Sequence, residues 1–288
     1  MQALANLNGE QMPLEEARVP ALDRGFLFGD AVYEVLRVYG GRPWLVDEHF
    51  HRLANSLQAI RLIGVDLKRL RRRMDETITA GPFREAIVYI QITRGAAPRS
   101  HKFPIRAVPL EFLYVDEFHD PYERARREGA KVVTQPDRRW DRCDIKSTNL
   151  LGNILAMQAA SEVGCLEALL YLPDGRITEG THTSVFGVRD GKLLTTPQSA
   201  DILPGITRSL IFRLARRAAV EVEEGILRRD GLSEIAELFL TGTTSEILPI
   251  VSVDGTPVGT GLPGPITRRL QQVYADAVGE FIATGKAP

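Results

Sequence analysis

The chain has 288 residues, about twice the commonest domain size, so two medium domains or one large domain are expected. With 44% hydrophobic and 25% charged residues, the composition is typical of a folded globular protein and excludes a disordered or fibrous chain. Lysine and arginine number 36 against 37 acidic residues, a balance that argues against nucleic-acid and membrane-surface partners and favours a small molecule.

Cysteine and histidine usage narrows the class of protein further. The two cysteines, Cys143 and Cys165, cannot form a disulfide framework, and the N-terminus has no signal-peptide pattern, so we expect a cytoplasmic protein. No apolar run reaches the roughly 20 residues that a membrane-spanning helix needs, so no membrane partner is expected. The five histidines show no metal-ligand spacing, and no metal site is predicted.

The first half of the chain mixes strand and helix patterns. Residues 31–39 are rich in β-branched and aromatic side chains and precede two glycines, which predicts a strand that ends in a turn. Apolar residues then recur at helical spacing, which predicts a helix with Asp47 as its N-cap and Gly64 as its left-handed C-terminal residue. A second helix and two buried strands are predicted over 67–80, 86–93 and 110–115.

A charged segment separates the two halves. Residues 116–129 contain Pro121 and interrupt the strand pattern, so the sequence predicts a domain boundary near residue 120, with domains over 1–120 and 121–288. Strands are predicted over 131–134, 167–172, 184–188, 192–195 and 238–240, and helices over 151–162, over 207–220 and from Ile266 onward. The mixture of elements indicates an α/β or α+β fold.

Lys146 is a candidate for covalent chemistry. It follows Ile145 and precedes small polar residues just before a predicted helix, where partial burial would favour the neutral amine that attacks a carbonyl. On local sequence alone, a surface lysine near a helix start is the commoner interpretation.

Glu179 is a second candidate. It follows a predicted turn in the segment 175–180 (GRITEG) and precedes Gly180, which permits close approach of the backbone to a ligand. A carboxylate beside a pyridine nitrogen keeps that nitrogen protonated and makes the ring an electron sink. A solvated glutamate in a hairpin-like turn is the commoner interpretation of this pattern by itself.

Two segments could bind a phosphate group. Ile206 and Thr207 open a helix, so their amides and the positive end of the helix dipole suit an anion. The turn 242–245 (GTTS), which includes Thr243, offers hydroxyls and amides after a predicted strand. An ordinary helix cap and a polar turn remain the alternatives.

Three further basic side chains are candidates for anion binding. Arg52 lies three residues after His49 on one helix face and can bind phosphate oxygens with two nitrogens. Arg99 and His101 lie in a Gly/Pro loop after a buried strand, and in an extended segment both point to the same side and could hold a carboxylate. Solvated basic side chains are the alternative for all three.

The strand 31–39 places a carboxylate on an apolar face. Glu34 shares that face with Val32 and Leu36, whereas Tyr33 lies on the other face. If the apolar face is buried, Glu34 must have hydrogen-bonding partners.

Together these residues resemble the class IV, or fold-type IV, pyridoxal-phosphate aminotransferases, and within them the D-amino-acid aminotransferases. The matching segments occur in order along nearly the whole chain: 23–30 (DRGFLFGD), 32–35 (VYEV), 49–53 (HFHRL), 93–95 (TRG), 144–147 (DIKS), 178–180 (TEG), 205–208 (GITR) and 243–246 (TTSE). The resemblance implies a homodimer of two-domain subunits, each with a small α/β N-terminal domain and a larger pseudo-barrel C-terminal domain that carries the lysine.

The resemblance also implies a role for each candidate. Lys146 would hold pyridoxal 5′-phosphate as a Schiff base and transfer the proton, and Glu179 would pair with the pyridine nitrogen. Tyr33, with Arg99 and His101 from the other subunit, would bind the α-carboxylate of the substrate. The phosphate would be bound by Arg52, Ile206, Thr207 and Thr243.

The function that follows from the resemblance is ping-pong transamination between a D-amino acid, such as D-alanine, and a 2-oxo acid, such as 2-oxoglutarate. Alternatives within the family are an (R)-amine transaminase, a branched-chain aminotransferase and an aminodeoxychorismate lyase, and outside enzymes a catalytically inactive scaffold. The sequence departs from the family pattern after Glu179-Gly180, where a serine-rich run ending in asparagine is replaced by THTS, with His182 and Ser184. This departure bears on side-chain specificity and cofactor binding.

Overall fold

The computed structural model describes residues 2–106 and 108–288. Contacts divide the chain into two units: the first contains the residues up to His119 and the segment Ile145–Asn149, and the second contains Asp120–Asp144 and Leu150–Pro288. The predicted ranges 1–120 and 121–288 differ from this division at Asp120 and at Ile145–Asn149. Contacts place that segment, with Lys146, in the first unit because it lies along a strand of the first unit, where the Tyr33 amide donates to the Lys146 carbonyl.

The first unit is built on one antiparallel sheet. Its strands are β1 (Leu4–Leu7), β2 (Glu10–Pro13), β3 (Ala31–Tyr39), β4 (Arg42–Pro43), β5 (Ala86–Thr93) and β6 (Leu110–Glu117), and its helices are α1 (Arg24–Phe28), α2 (Val46–Ala59) and α3 (Leu67–Ala80). The order across the sheet is β2-β1-β6-β5-β3-β4. Alternate residues of β3 and β5, such as Leu36 and Ile90, pack with Leu53 of α2 and Met74 of α3 in one core. Each fully buried side chain of this size stabilises the fold by roughly 1.5–3 kcal/mol.

Helix α2 does not have the predicted ends. Its N-cap is Leu45, in a left-handed conformation with φ of 50°, so the prediction of Asp47 as the cap is wrong. Asp47 lies in the first turn, where a negative charge complements the helix dipole, and it forms an ion pair with Arg71. The helix ends at Ala59, and the left-handed residue that follows is Arg61, with φ of 56°, not Gly64.

The second unit is built on a larger mixed sheet. Its strands are β7 (Ala130–Pro136), β8 (Glu167–Tyr171), β9 (Ile177–Gly180), β10 (Ser184–Arg189), β11 (Lys192–Thr195), β12 (Val222–Glu224), β13 (Glu237–Gly242), β14 (Glu246–Val253) and β15 (Thr256–Pro257). The order is β12-β11-β10-β13-β14-β7-β8-β9, with β15 beside β14. The helices of the unit are α4 (Glu123–Glu128), α5 (Leu151–Glu162), α6 (Ile206–Arg217) and α7 (Pro265–Thr284).

Strand β9 corrects the interpretation of the segment around Glu179. The commoner interpretation of Glu179, a solvated glutamate in a hairpin-like turn, is wrong, because residues 177–180 form a strand that is buried throughout and pairs with β8. The turn lies just before it, where Gly175 has a φ of +83°. Glu179 is therefore held on a sheet and not in a solvated turn.

Within the described residues, none of the helices combines the length and the apolar character needed to cross a membrane.

Candidate active site

Lys146 is fixed by its backbone along β3. The Tyr33 amide donates to the Lys146 carbonyl at 3.0 Å, and the Lys146 amide donates to Ser56 Oγ of α2 at 3.2 Å. The side chain is half-buried, and its Nζ lies 4.1 Å from the centroid of the Tyr33 ring. The amine is thus held against an aromatic face, which restricts its direction. A solvated surface lysine would not have these contacts.

Glu34, His49 and Arg52 form a buried cluster in the first unit. Arg52 donates through Nε to Glu34 Oε1 at 2.7 Å and through a terminal nitrogen to Oε2 at 2.8 Å. His49 Nδ1 lies 2.7 Å from Oε2 and donates to it, because an ionised carboxylate only accepts. Glu34 is 0% exposed, so the partners that the apolar face required are present.

The charge of this cluster is fixed. Burial by itself would raise the pKa of Glu34, but the charge and hydrogen bonds of Arg52, with the bond from His49, outweigh burial and lower that pKa to about 2. Burial lowers the pKa of His49, although its bond to Glu34 opposes this change. At neutral pH the cluster therefore consists of an ionised glutamate, an arginine and a neutral histidine. Arg52 and His49 share a helix face as predicted, and the part of Arg52 in phosphate binding stays a prediction.

Glu179 lies in a second buried cluster, in the second unit. Its carboxylate accepts from Arg139 and from the Leu203 amide, the latter at 3.1 Å. Arg139 is shared, because it also donates to Asp137 through Nε at 3.0 Å and through a terminal nitrogen at 2.7 Å. Burial raises the pKa of Glu179 to about 7, and Arg139 only partly offsets this increase. This carboxyl can therefore gain or lose a proton near neutral pH.

The predicted phosphate segments lie at a helix start and a strand turn of the second unit. Ile206 and Thr207 are buried at the N-terminus of α6, whose cap, Gly205, has no side chain to bond the first amides. A Cβ on Gly205 would lie 2.6 Å from Ser184 Oγ and 3.1 Å from Arg208 Cβ, so a larger residue at this cap would displace the serine side chain. Thr243 lies in the turn between β13 and β14.

This turn has a polar atom that suits an anion. Ser245 follows Thr243 in the turn, and its Oγ is buried with no hydrogen-bond partner among the described residues. A buried hydroxyl without a partner is costly and is expected to acquire one from a ligand or water. Amides at a helix start and hydroxyls in a turn are the donors that a phosphate ester accepts from, so these residues fit such a group.

Arg99 and His101 lie in an exposed, bent segment and not in a strand. Both side chains nevertheless contact the Phe28 ring: the Arg99 guanidinium carbon lies 5.3 Å from its centroid, and the His101 ring centroid lies 5.5 Å away. Tyr33 is on β3 of the same unit, stacked on Tyr89 with centroids 5.7 Å apart. The two basic side chains thus share one aromatic neighbour, which limits how far they can separate.

Sequence reasoning missed two arginines that hold these groups. Arg139 holds Glu179, and nothing in the sequence distinguishes it from its neighbour Arg138. Arg24 is buried and donates to Asp30 at 2.8 Å and to the carbonyls of Ser100 and Lys102, so it fixes the loop of Arg99 and His101. The signal for this role is the burial of Arg24 beside the Asp30 carboxylate. Burial depends on tertiary packing, so the sequence alone does not give this signal.

Comparisons with known proteins bear on these features. The sequence model of the family described as "Amino-transferase class IV" matches residues 31–253. A D-alanine aminotransferase of Bacillus licheniformis is 37% identical over 275 residues, which cover 94% of this chain and 95% of that one. A D-alanine aminotransferase of Staphylococcus haemolyticus is 37% identical over 270 residues, 93% of this chain and 95% of that one.

Solved structures agree in fold. The branched-chain amino acid aminotransferase of Escherichia coli has a TM-score of 0.90 at 27% identity and covers 100% of this chain and 97% of its own. The T.th. enzyme of the same name, solved with pyridoxamine 5′-phosphate, has a TM-score of 0.89 at 29% identity over 100% of this chain and 96% of its own. These likenesses confirm the predicted fold class.

Proposed function

Because the chain belongs to the class IV aminotransferases, we propose that it transfers an amino group between a D-amino acid and a 2-oxo acid by a ping-pong mechanism, with pyridoxal 5′-phosphate as cofactor. The observation that carries the choice of a D-amino acid is the Arg99 and His101 pair, which matches the Arg-x-His loop of the D-amino-acid enzymes and whose two side chains both contact Phe28. The D-alanine aminotransferases that are 37% identical to this chain support the same choice.

The residues present fit the proposed cofactor. Lys146 Nζ would bind its aldehyde, Glu179 would pair with its ring nitrogen, and the α6 amides with Thr243 and Arg52 would hold its phosphate. When bound, the cofactor supplies an electron sink, which accepts the electron pair left on the substrate when its α-proton is removed. Solved neighbours that carry pyridoxamine 5′-phosphate or a phosphopyridoxyl-glutamate are consistent with this assignment.

The residues of the chain then divide the work of the reaction. Arg99 and His101 bind the α-carboxylate of the amino donor, with Tyr33, and fix which hydrogen of the α-carbon faces the lysine. Lys146 Nζ removes that proton as a general base and returns a proton when the 2-oxo acid is aminated. Glu179 holds a proton at the ring nitrogen, and Arg139 favours the ionised form of the carboxylate that this bond needs.

A donor panel tests the reaction and its stereochemistry. We expect D-alanine to be turned over with 2-oxoglutarate, and L-leucine, (R)-1-phenylethylamine and aminodeoxychorismate to be poor substrates. Bound cofactor should give a visible absorption band that borohydride removes, and Lys146→Ala should abolish both this band and turnover. The matched variant of an exposed lysine, Lys131→Ala, should keep both. Absence of D-alanine turnover in cofactor-loaded protein would disprove the proposal.

A branched-chain aminotransferase is the second candidate. The solved branched-chain enzymes, at TM-scores up to 0.90 and identities of 26–29%, favour it. The same panel separates the two candidates, because a branched-chain enzyme would use L-leucine and leave D-alanine unchanged.

We further propose that the protein is a homodimer in which Arg99 and His101 serve the site of the other subunit. Leu151, Ile154 and Leu155 of α5 form an apolar group that is 58–69% exposed, and a second copy of the chain could cover it. Mixing the inactive variants Arg99→Ala and Lys146→Ala should restore about a quarter of the activity, because a randomly mixed heterodimer has one intact site. If the loop serves its own subunit, the mixture stays inactive.

A cytoplasmic location is part of the proposal. Both cysteines, Cys143 and Cys165, are free, as expected in a reducing compartment. Fractionation of cells that express the protein would test this location, and recovery outside the cytoplasmic fraction would contradict it.

A further inference from the structure

His182, the residue that departs from the family pattern, lies beside a buried carboxylate. Glu167 of β8 is 1% exposed, and His182 Nδ1 lies 3.0 Å from its Oε2. The Glu167 carboxylate also accepts from the Thr181 amide, the Thr181 hydroxyl and the Thr183 hydroxyl at 2.6–3.1 Å. Burial by itself would raise the pKa of Glu167, but its interaction with His182, followed by the bonds from Thr181 and the Ala168 amide, lowers that pKa, so the ionised carboxylate can only accept from the histidine. Because Thr181 and Thr183 also donate to it, Glu167 keeps hydrogen-bond partners when His182 is replaced.

The other ring nitrogen of His182 makes a second contact. Its Nε2 lies 3.2 Å from the Tyr122 hydroxyl, which precedes α4. In the neutral imidazole the proton is on Nδ1, because Glu167 accepts there, so Nε2 must accept the Tyr122 O–H. The Tyr122 oxygen is in turn hydrogen-bonded by the Thr244 side chain. The four groups form a directed chain: Thr244 donates to Tyr122, Tyr122 to His182, and His182 to Glu167.

This chain ends in the turn that contains Thr243. A Cβ on Gly242, at the start of the turn, would lie 3.5 Å from a Thr183 methyl and 3.8 Å from the His182 carbonyl, so the loop of His182 packs directly against the turn. We propose that His182 is a positioning residue that fixes the turn of Thr243 and Thr244 through Tyr122, and so sets the affinity for the phosphate ester of the cofactor. This inference rests on the proposed function, in which Thr243 binds that phosphate.

The test is the dissociation constant of pyridoxal 5′-phosphate, measured by fluorescence titration of cofactor-free protein. His182→Ser and Tyr122→Phe should each raise it about fivefold, the effect of one lost hydrogen bond. The double variant should raise it no further than either single variant, because both act on one path. Pyridoxal, which has no phosphate, should bind all variants as it binds the original protein. His119→Ser, at a histidine whose side chain is 83% exposed, is the matched control and should change nothing.

Two conservative variants separate positioning from a purely structural role. In His182→Gln the amide lies near the place of Nε2 and can still accept from Tyr122, whereas in His182→Asn it lies near Nδ1 and reaches only Glu167. Positioning predicts that Gln restores the affinity and Asn does not. Restoration by Asn alone, or equal weakening of pyridoxal and pyridoxal 5′-phosphate, overturns the inference.

Thr243→Val separates this inference from the function on which it rests. If Thr243→Val weakens pyridoxal 5′-phosphate binding and the His182 and Tyr122 variants do not, the positioning role is wrong and the phosphate assignment stands. If Thr243→Val leaves the affinity unchanged, the phosphate assignment falls, and the positioning role with it.

Discussion

Each unit of the molecule buries a glutamate beside an arginine, yet the two carboxyls differ in charge. Glu34 has a pKa of about 2, and Glu179 has a pKa of about 7. Burial is the largest influence on both and raises both pKa values, so burial does not explain the difference. The arginines do. Arg52 gives Glu34 two nitrogens, whereas Arg139 gives Glu179 one and directs two to Asp137.

These two clusters show that the sharing of an arginine, and not only its presence, decides the charge of the two carboxyls, and the bond from His49 lowers the pKa of Glu34 further. Asp137 takes part of the charge of Arg139 and adds its own negative charge, which raises the pKa of Glu179 further. Asp30 shows the opposite sharing, since two arginines, Arg24 and Arg94, lower its pKa against burial. A fixed charge suits a structural cluster, and a carboxyl near neutrality suits a group that must hold or release a proton.

The largest effect is expected from removing Arg52. Arg52→Met leaves the ionised Glu34 buried with only His49, which should lower the free energy of unfolding by about 3–5 kcal/mol. The double variant Glu34→Gln/Arg52→Met should recover most of this loss because no charge remains unpaired. Urea unfolding of cofactor-free protein measures both, and a single variant as stable as the original would contradict our account of the cluster.

The dependence of stability on pH should have opposite signs at the two glutamates. The pKa of Glu34 is lower in the folded chain, so the stability it contributes is present above pH 4.5 and is lost as the pH falls towards 2. The pKa of Glu179 is higher in the folded chain, so the stability it contributes is present below pH 4.5 and is lost as the pH rises through about 7. Each change is about 3 kcal/mol, from the shift of the pKa.

Glutamine variants isolate these two contributions. The difference in the free energy of unfolding between the original protein and Glu179→Gln should change between pH 4.5 and 7, and the difference for Glu34→Gln should change only below pH 4.5. Equal slopes for the two variants would show that the charges do not differ as described.

The sequence was sufficient for the strongly periodic elements. The strands Ala31–Tyr39 and Ala86–Thr93 and the helices Leu67–Ala80 and Leu151–Glu162 have the predicted bounds. The two strands are runs of β-branched and aromatic residues, the first helix has a clear apolar stripe, and Gly164 follows the second helix. It also predicted that Glu34 needs partners, since the strand period alone places it on the apolar face.

What the sequence did not predict depends on tertiary contacts. The strand Ile177–Gly180 is short and contains Thr178 and Glu179, so no local signal distinguishes it from a loop. The cap of α2 is Leu45, which adopts a left-handed conformation that its residue type disfavours. Arg139 is shared between Asp137 and Glu179 only because distant segments of the chain pack together. The spacing of these residues along the sequence does not predict that packing.

Asp137→Asn should end the sharing of Arg139 between two carboxylates and so test the comparison of Glu179 with Glu34. Arg139 then serves Glu179 alone and one negative charge is removed, so the pKa of Glu179 should fall from about 7 by roughly one unit. The pH at which stability declines should move down with it. Asp141→Asn, at an exposed aspartate near the same segment, is the control. A rise in this pH would mean that Asp137 acts chiefly by orienting Arg139.

The smallest effect is expected at Arg24, because here one carboxylate, Asp30, is shared by two arginines. Arg94 donates to Asp30 with two nitrogens at 2.8 and 2.9 Å, so Arg24→Lys leaves that carboxylate paired and should cost little stability. Lysine cannot reach Asp30 and the carbonyls of Ser100 and Lys102 together, so the loop of Arg99 and His101 loses hydrogen bonds that fix it.

For Arg24→Lys we expect the KM for D-alanine to rise about fivefold, the effect of one weakened carboxylate contact, with kcat nearly unchanged. Steady-state kinetics beside Arg42→Lys, at an exposed arginine, measure this. An unchanged KM would mean that Phe28 alone suffices to fix the loop, and a fall in stability of several kcal/mol would mean that Asp30 needs both arginines.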